Sequence, residues 1–307
     1  MSRPLDRTPG PRAAGFTLIE IAVVIVVLSL LLAMLAGIGT AMLGQQRREA
    51  TRQRLAGVEI AIALFVSQNK RLPCPADGRV AGTTANAGVE ARNAGTGACE
   101  IGGAANTQTH GVVPWQTLGL AEPDVTDGWG NRLTYRVAPE LVVANAMDLT
   151  ACDPGGTTGG LPGGLCNTAC ASSTFPDSCT PPSAYTASKG LKVRTLNPAV
   201  MLTMSPGSTP STGAAYVVIS HGENGAGAYS GQGITQSGST PSGTLEASNN
   251  AATVAFAHAT SLLLPDANAF VDDFPSYVEG AGHFDDWLLR PSILTVATKA
   301  QLGPRAH

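Results

Sequence analysis

From Ile21 to Leu43 the chain runs 23 residues without a charged side chain, broken only by Ser29, Gly37, Gly39 and Thr40. As a helix rising about 1.5 Å per residue, such a run covers roughly 35 Å, the scale of a bilayer's hydrocarbon core. This feature divides the chain into a short leader, a membrane-spanning helix and a large remainder. One acid, Glu20, stands at the threshold of the run. An unpaired carboxylate within lipid costs about 2.5–3.5 kcal/mol on insertion scales, so Glu20 demands a partner. Ahead of it, Met1 to Gly15 carries Arg3, Arg7 and Arg12 against Asp6. A secretory signal has a shorter apolar core followed by a small-x-small cleavage site. Here the small residue, Gly15, precedes the run, so a cut after it would remove the basic leader and leave the span intact. The competing account is an ordinary signal anchor whose glutamate snorkels to water.

The residues at this boundary, "GFTLIE" (Gly15 to Glu20), followed by the apolar helix, resemble the class III leader junction of prepilins: type IV pilins, type II secretion pseudopilins and competence pilins. The resemblance implies cleavage by a prepilin peptidase between Gly15 and Phe16 and N-methylation of the new Phe16 amine. Gly15, lacking a Cβ, lets an extended backbone enter a protease cleft. It also implies that Glu20 serves assembly, its carboxylate pairing with the Phe16 amine of a neighbouring subunit and offsetting the burial of both. The fold implied is α+β, a long N-terminal helix packed on a small antiparallel sheet and decorated by long disulfide-rich loops. The corresponding divisions are a leader at 1–15, a transmembrane helix at 16–43, its amphipathic continuation at 44–71 and a periplasmic or extracellular head at 72–307.

The function implied is structural rather than enzymatic: a subunit, minor by its size and insertions, of a type IV pilus or a type II secretion pseudopilus. Its partners are the prepilin peptidase, other pilin or pseudopilin subunits and the inner membrane, in which it sits as a single-pass protein with a periplasmic head before assembly. The alternative is a pilus-tip adhesin whose loops, at 74–111 and 152–179, recognise a surface or DNA. A formal net charge of -3 and the lack of a basic-aromatic stripe give no reason to expect nucleic acid. Orientation by charge alone leans the other way, because Arg47, Arg48, Arg52 and Arg54 follow the span and outnumber the leader arginines. Glu49 and Glu59 dilute that cluster, and lipid headgroups or neighbouring subunits are its natural contacts.

Beyond the span, Gln45 to Asn69 reads as continuing helix, with Leu55, Val58, Ile62 and Phe65 forming an apolar stripe, until Pro73 and Pro75 forbid more. Cys74, Cys99, Cys152, Cys166, Cys170 and Cys179 lie in Gly/Pro/Ser-rich sequence, an even count that favours disulfides and an oxidising compartment. Cys74 and Cys99 flank one loop and are the favoured pair, the other four pairing among themselves. Cys166-x-x-x-Cys170 as half a zinc site lacks a nearby His or a second matching pair. Pro114 in "GVVPWQTLGL" marks a helix start, and "DGWGNRLTYRV" (Asp127 to Val137) reads as turns followed by a strand with Leu133, Tyr135 and Val137 alternating. The latter is similar to the D-x-W-G-N-x-x-x-Y signature of the major pseudopilin, with Gly128 where that family often has Pro. Ala199 to Met204 and Ala214 to Ser220 read as strands, 230–250 as a polar loop, "FDDWLLRPSILTVAT" as the last ordered element, and the tail from Lys299 as frayed.

Ser220, His221 and Glu223 invite a hydrolase reading, but adjacent Ser and His do not easily pair as nucleophile and base, and the G-x-S-x-G elbow is missing. A loop similar to that of calcium-binding major pseudopilins comprises Ser220, Gly222, Asn224 and Gly225, followed much later by Asp285 and Asp286 before Trp287. That resemblance makes Asp285 and Asp286 candidate calcium ligands, against the plainer account of turn-forming aspartates. Trp115 and Trp129 are expected to face the core.

Overall fold

The computed structural model describes residues 17–100, 110–138, 141–144, 146–147, 190–195, 202, 213–234, 249, 269–277 and 282–302, without the side chains of 35–41. Gly15, Phe16, Cys152, Cys166, Cys170, Cys179 and nearly all of the strand expected at 199–204 lie outside the described residues. The chain divides into two compact units, Met1–Gln46 and Arg47–His307.

Helix α1 (Leu18–Asn69) is a single element of 52 residues. In the first unit its large apolar side chains from Leu18 to Met34 are exposed. Among the described residues, no helix is long and apolar enough to cross a membrane. In the second unit one face of α1 is core. Leu55, Val58, Ile62, Phe65 and Val66 are all buried, at the three- and four-residue spacing of the stripe. Removing each from water is worth about 1.5–3 kcal/mol, which fixes this half of the helix far more firmly than its intrinsic propensity does. The helix ends at Asn69, where Lys70 turns left-handed (φ 56°) and returns its N–H to the Val66 carbonyl.

That face meets a four-stranded antiparallel sheet in the order β1 (His110–Val112), β3 (Thr134–Val137), β5 (Tyr216–Ser220), β8 (Trp287–Leu289). Tyr135 pairs with Val218 and Val218 with Leu289, so β5 is central. All five of its residues are buried, the pattern of a strand covered on both faces. Leu133, Tyr135 and Val137 belong to the same apolar core as the α1 stripe. The intervening Thr134 and Arg136 are also buried, with the Arg136 guanidinium over the Phe270 ring. Phe270 lies in a short parallel pair, β4 (Val193–Arg194) with β7 (Phe270–Val271). A further pair, β2 (Asn131–Arg132) with β6 (Tyr229–Ser230), extends the turn region ahead of β3.

Two expectations are corrected. Residues 115–119 form hydrogen-bonded turns, not a helix: Leu118 N–H reaches Pro114, but Leu120 N–H closes back on Trp115. The seven residues between a buried Trp115 and the next proline, Pro123, are too few to repay helix nucleation. The tail is not frayed from Lys299. Helix α2 (Ile293–Lys299) is capped by Ser292, whose hydroxyl accepts the Thr295 N–H. Lys299 bridges to Glu59 of α1, and Ala300 and Leu302 are buried beyond the helix end, 2% and 1% exposed.

Cys74 and Cys99 form a disulfide, both sulfurs buried. Short bridges at Ala76–Glu90 and Arg92–Cys99 give the closed loop its only ladder among the described residues. Glu90 adds a second tie, accepting from Arg71 and from the Cys74 N–H. The bond spans 25 residues, for which loop-closure entropy gives about 3 kcal/mol. Replacing both cysteines by alanine is expected to lower unfolding stability by roughly that amount in denaturant titrations. An unchanged midpoint would assign the loop's stability to Glu90 and its partners alone.

Candidate processing and assembly site

At the start of α1 the chain sets up a reciprocal cap. The Thr17 backbone N–H donates to Glu20 Oε2 at 2.8 Å, and the Thr17 hydroxyl donates to the same oxygen at 2.9 Å. In return the Glu20 N–H donates to Thr17 Oγ1 at 3.4 Å. This is the capping box, in which Thr at N-cap and Glu three residues on satisfy each other's orphan N–H groups. The carboxylate also sits at the positive end of the helix dipole. Glu20 therefore has a partner within its own chain. The missed residue is Thr17, and its signal was present in the sequence as Thr17-x-x-Glu20 ahead of an apolar run. The Phe16 nitrogen is the next backbone nitrogen before the one Glu20 already holds.

The segment Asp127–Asn131 fastens the sheet to α1. The Asp127 carboxylate accepts the N–H groups of Trp129 and Asn131 at 3.0 and 2.9 Å through Oδ1, and the Ser220 hydroxyl at 2.8 Å through Oδ2. Burial pushes this carboxyl above the usual range, against which these hydrogen bonds act. From α1, Thr51 accepts the Gly128 N–H at 2.9 Å, and Arg54 donates to the carbonyls of Thr126 and Asp127. Gly128 packs so closely on the helix that an added Cβ would run into the Arg47 carbonyl. Gly128→Ala is expected to cost about 1–3 kcal/mol by overpacking, read as a lower melting temperature. An unchanged melting temperature would mean that the turn slides off α1 without loss.

Ser220 and His221 point to different partners. Ser220 serves Asp127, whereas His221 Nε2 is 2.9 Å from Thr134 Oγ1. Burial first, then Arg136, pushes the imidazole down to about 3, so it is neutral at neutral pH. The described residues therefore contain no Ser–His nucleophile pair at this position. The structure does bring Asp285 and Asp286 to the 220–225 loop. Asp285 Oδ2 accepts the N–H groups of Glu223 and Asn224 at 2.8 and 3.2 Å, and Gly222 (φ 59°) lies directly against the Asp285 side chain. Asp286 Oδ2 accepts from the Asn249 amide at 2.8 Å, and its Oδ1 is 3.7 Å from His221 Nδ1. Calcium takes six to eight oxygens. Here the loop offers N–H groups to Asp285, and among the described residues no group of three or more His, Cys, Asp or Glu gathers to hold a metal. Among the described residues Asp285 is the acceptor of a hydrogen-bonded turn.

Trp115 is core, as its residue type suggests, with the Arg132 guanidinium 4.8 Å from its ring. Trp129 is only partly buried.

A capped N-terminal helix that continues onto an antiparallel sheet, with one loop held by a disulfide, defines an α+β protein whose distinguishing chemistry lies at the start of the helix. Residues 10–36 match the family model of the prokaryotic N-terminal methylation motif, the signature of type IV pilins and pseudopilins. The motif implies a membrane-anchored precursor, processed by a prepilin peptidase and assembled with other pilin-type subunits. No curated protein and no solved structure matches the chain.

Proposed function

We propose that the chain is a structural subunit, a minor one, of a type IV pilus or a type II secretion pseudopilus. The observation that carries this is the methylation motif at 10–36 coinciding with the Thr17–Glu20 cap on an unbroken 52-residue helix. Cleavage falls between Gly15 and Phe16, and Phe16 is then N-methylated. Ile21 to Leu43 crosses the inner membrane, an assignment supported by its 23 uncharged residues and by the continuity of the helix through them. The second unit, with its disulfide, faces the oxidising side before assembly. Work is done by helix packing in a filament rather than by chemistry on a substrate. Intact-mass analysis of the purified protein tests the proposal: residues 1–15 are lost and one methyl group, about 14 Da, is gained. A mature chain that still begins at Met1, or is cut within the apolar run, overturns it.

A further inference from the structure

We propose that Arg47, Arg48, Arg52, Phe274 and Tyr277 form a collar that rests against the anionic phospholipid headgroups of the membrane holding the precursor; this builds on the anchor assigned to Ile21–Leu43. Arg48 and Arg52 are four residues apart and so share one face of α1. The Arg48 guanidinium lies 4.7 Å from the Tyr277 ring centre, and that of Arg52 lies 4.7 Å from the Trp287 ring centre. The loop 272–277 and strand β8 therefore meet the same helix face. Arginine stacked on an aromatic ring keeps its N–H edge available for bidentate bonds to oxygen acceptors such as phosphate. Arg47 and Arg52 are exposed. Arg54, by contrast, is committed to the carbonyls of Thr126 and Asp127. Of the nearby acids, Asp272 pairs with Arg290, Asp285 and Asp273 accept backbone N–H groups, and Glu49 accepts from Gln53, whereas Glu223 is exposed on the side of Tyr277.

Phe274 is the observation that folding does not explain. It is 89% exposed, the most exposed large apolar side chain among the described residues outside α1, and Tyr277 three residues on is 48% exposed. Aromatic rings with one wet and one apolar side concentrate at membrane interfaces, as do arginines flanking a span. The position along α1 agrees. A headgroup layer is about 5–7 Å thick on each side of the hydrocarbon core, or some four to five residues of helix. With the apolar run ending at Leu43, that layer falls on residues 44–48, where Arg47 and Arg48 stand. The occupant is thus lipid phosphate at the edge of the protein's own membrane.

The test reconstitutes the full chain in nanodiscs of phosphatidylcholine alone, or of phosphatidylcholine with phosphatidylglycerol, and follows amide hydrogen exchange at 274–277. Exchange there is expected to slow roughly fivefold or more in the anionic discs, the factor one arginine contributes near an anionic surface. Phe274→Ser, and separately the pair Arg47→Gln with Arg52→Gln, should abolish that slowing while leaving the exchange of β3 and β5 unchanged. Equal exchange in both lipids overturns the proposal. Protection that is indifferent to lipid charge and grows with the number of chains per disc overturns it as well, assigning the surface to a second copy. A chain that does not co-elute with the discs overturns the anchor itself, a result read before exchange begins and so distinct from failure of the collar.

Discussion

Arg132→Met is expected to remove about 3–5 kcal/mol of stability, the cost of breaking a buried charge pair from one side. The guanidinium is almost wholly buried and donates four hydrogen bonds. Its Nε donates to Glu122 at 2.8 Å, and one terminal nitrogen donates to the carbonyls of Gly78 and Val80 at 3.0 and 2.7 Å. The other donates to the Gly231 carbonyl at 2.9 Å and bridges to Glu122 at 2.7 Å. Methionine fills part of the volume but leaves the Gly78 and Val80 carbonyls without donors and Glu122 without its cation, each orphaned group costing about 1–3 kcal/mol, while the Gly231 carbonyl keeps the Gly82 N–H. For a unit of this size the loss corresponds to roughly 10 °C or more in melting temperature. Lysine keeps the charge but not the planar fork, so Arg132→Lys should recover only part of the loss. A double-mutant cycle with Glu122→Gln isolates the pair from the carbonyl contacts. Wild-type melting by Arg132→Met would show that the three loops around Gly78, Glu122 and Gly231 stay together without it.

No local pattern announces that hub. Its partners lie 54, 52, 10 and 99 positions away, and an arginine in "GNRLTY" looks like any solvated strand residue. What the sequence does display are features whose period is short. The stripe Leu55, Val58, Ile62, Phe65 repeats at helical spacing, and the structure buries all four. Leu133, Tyr135 and Val137 alternate at strand spacing, and all three are buried. Elements of two residues, such as Val193–Arg194 and Phe270–Val271, are too brief to carry any period and exist only because each supplies the other's hydrogen bonds. The tail illustrates the opposite error. "KAQLGPRAH" is polar enough to read as frayed, but the Ala300 N–H returns to Val296 and the Leu302 N–H to Ala297, which carries Leu302 into the core.

The site divides in the same manner. The methylation motif at 10–36 is legible because a basic segment, Gly15 and an uncharged run occur in that order within one stretch of chain. Glu20 was legible as an anomaly, since a carboxylate beside a span needs an explanation. Its local partner was legible too, in the Thr17-x-x-Glu20 spacing. Asp285 is different in kind. Its contact with the amides of Glu223 and Asn224 joins residues 62 and 61 positions apart, and only tertiary structure shows that the loop turns N–H groups toward the carboxylate.

Glu20→Leu is expected to leave membrane insertion intact, because removing a charge from an apolar span makes insertion easier. Cleavage should also persist, since Gly15 is untouched. Incorporation into filaments should fall by roughly two to four powers of ten, the equivalent of about 3–5 kcal/mol for a buried amine left without its anion. The cap in the precursor supplies the control that separates two accounts of this residue. If Glu20 matters because it caps α1, then Thr17→Ala, which removes the hydroxyl from the box, should impair assembly comparably, at a cost of about 0.5–2 kcal/mol to the helix start. If Glu20 matters as the anion for a Phe16 amine, Thr17→Ala should assemble nearly normally and Glu20→Gln should fail like Glu20→Leu, because the amide still accepts a hydrogen bond but carries no charge. The second pattern is expected. A helix that continues for 52 residues and is held by packing along its second half has little need of one cap, whereas an uncompensated ammonium in an apolar bundle has no other remedy. The measurement is the fraction of cleaved, methylated protein in sheared filaments against that in membranes for the four variants, wild type included. Normal incorporation of Glu20→Leu would return Glu20 to the status of a snorkelling acid on a plain anchor, and loss of cleavage would assign it to recognition by the peptidase.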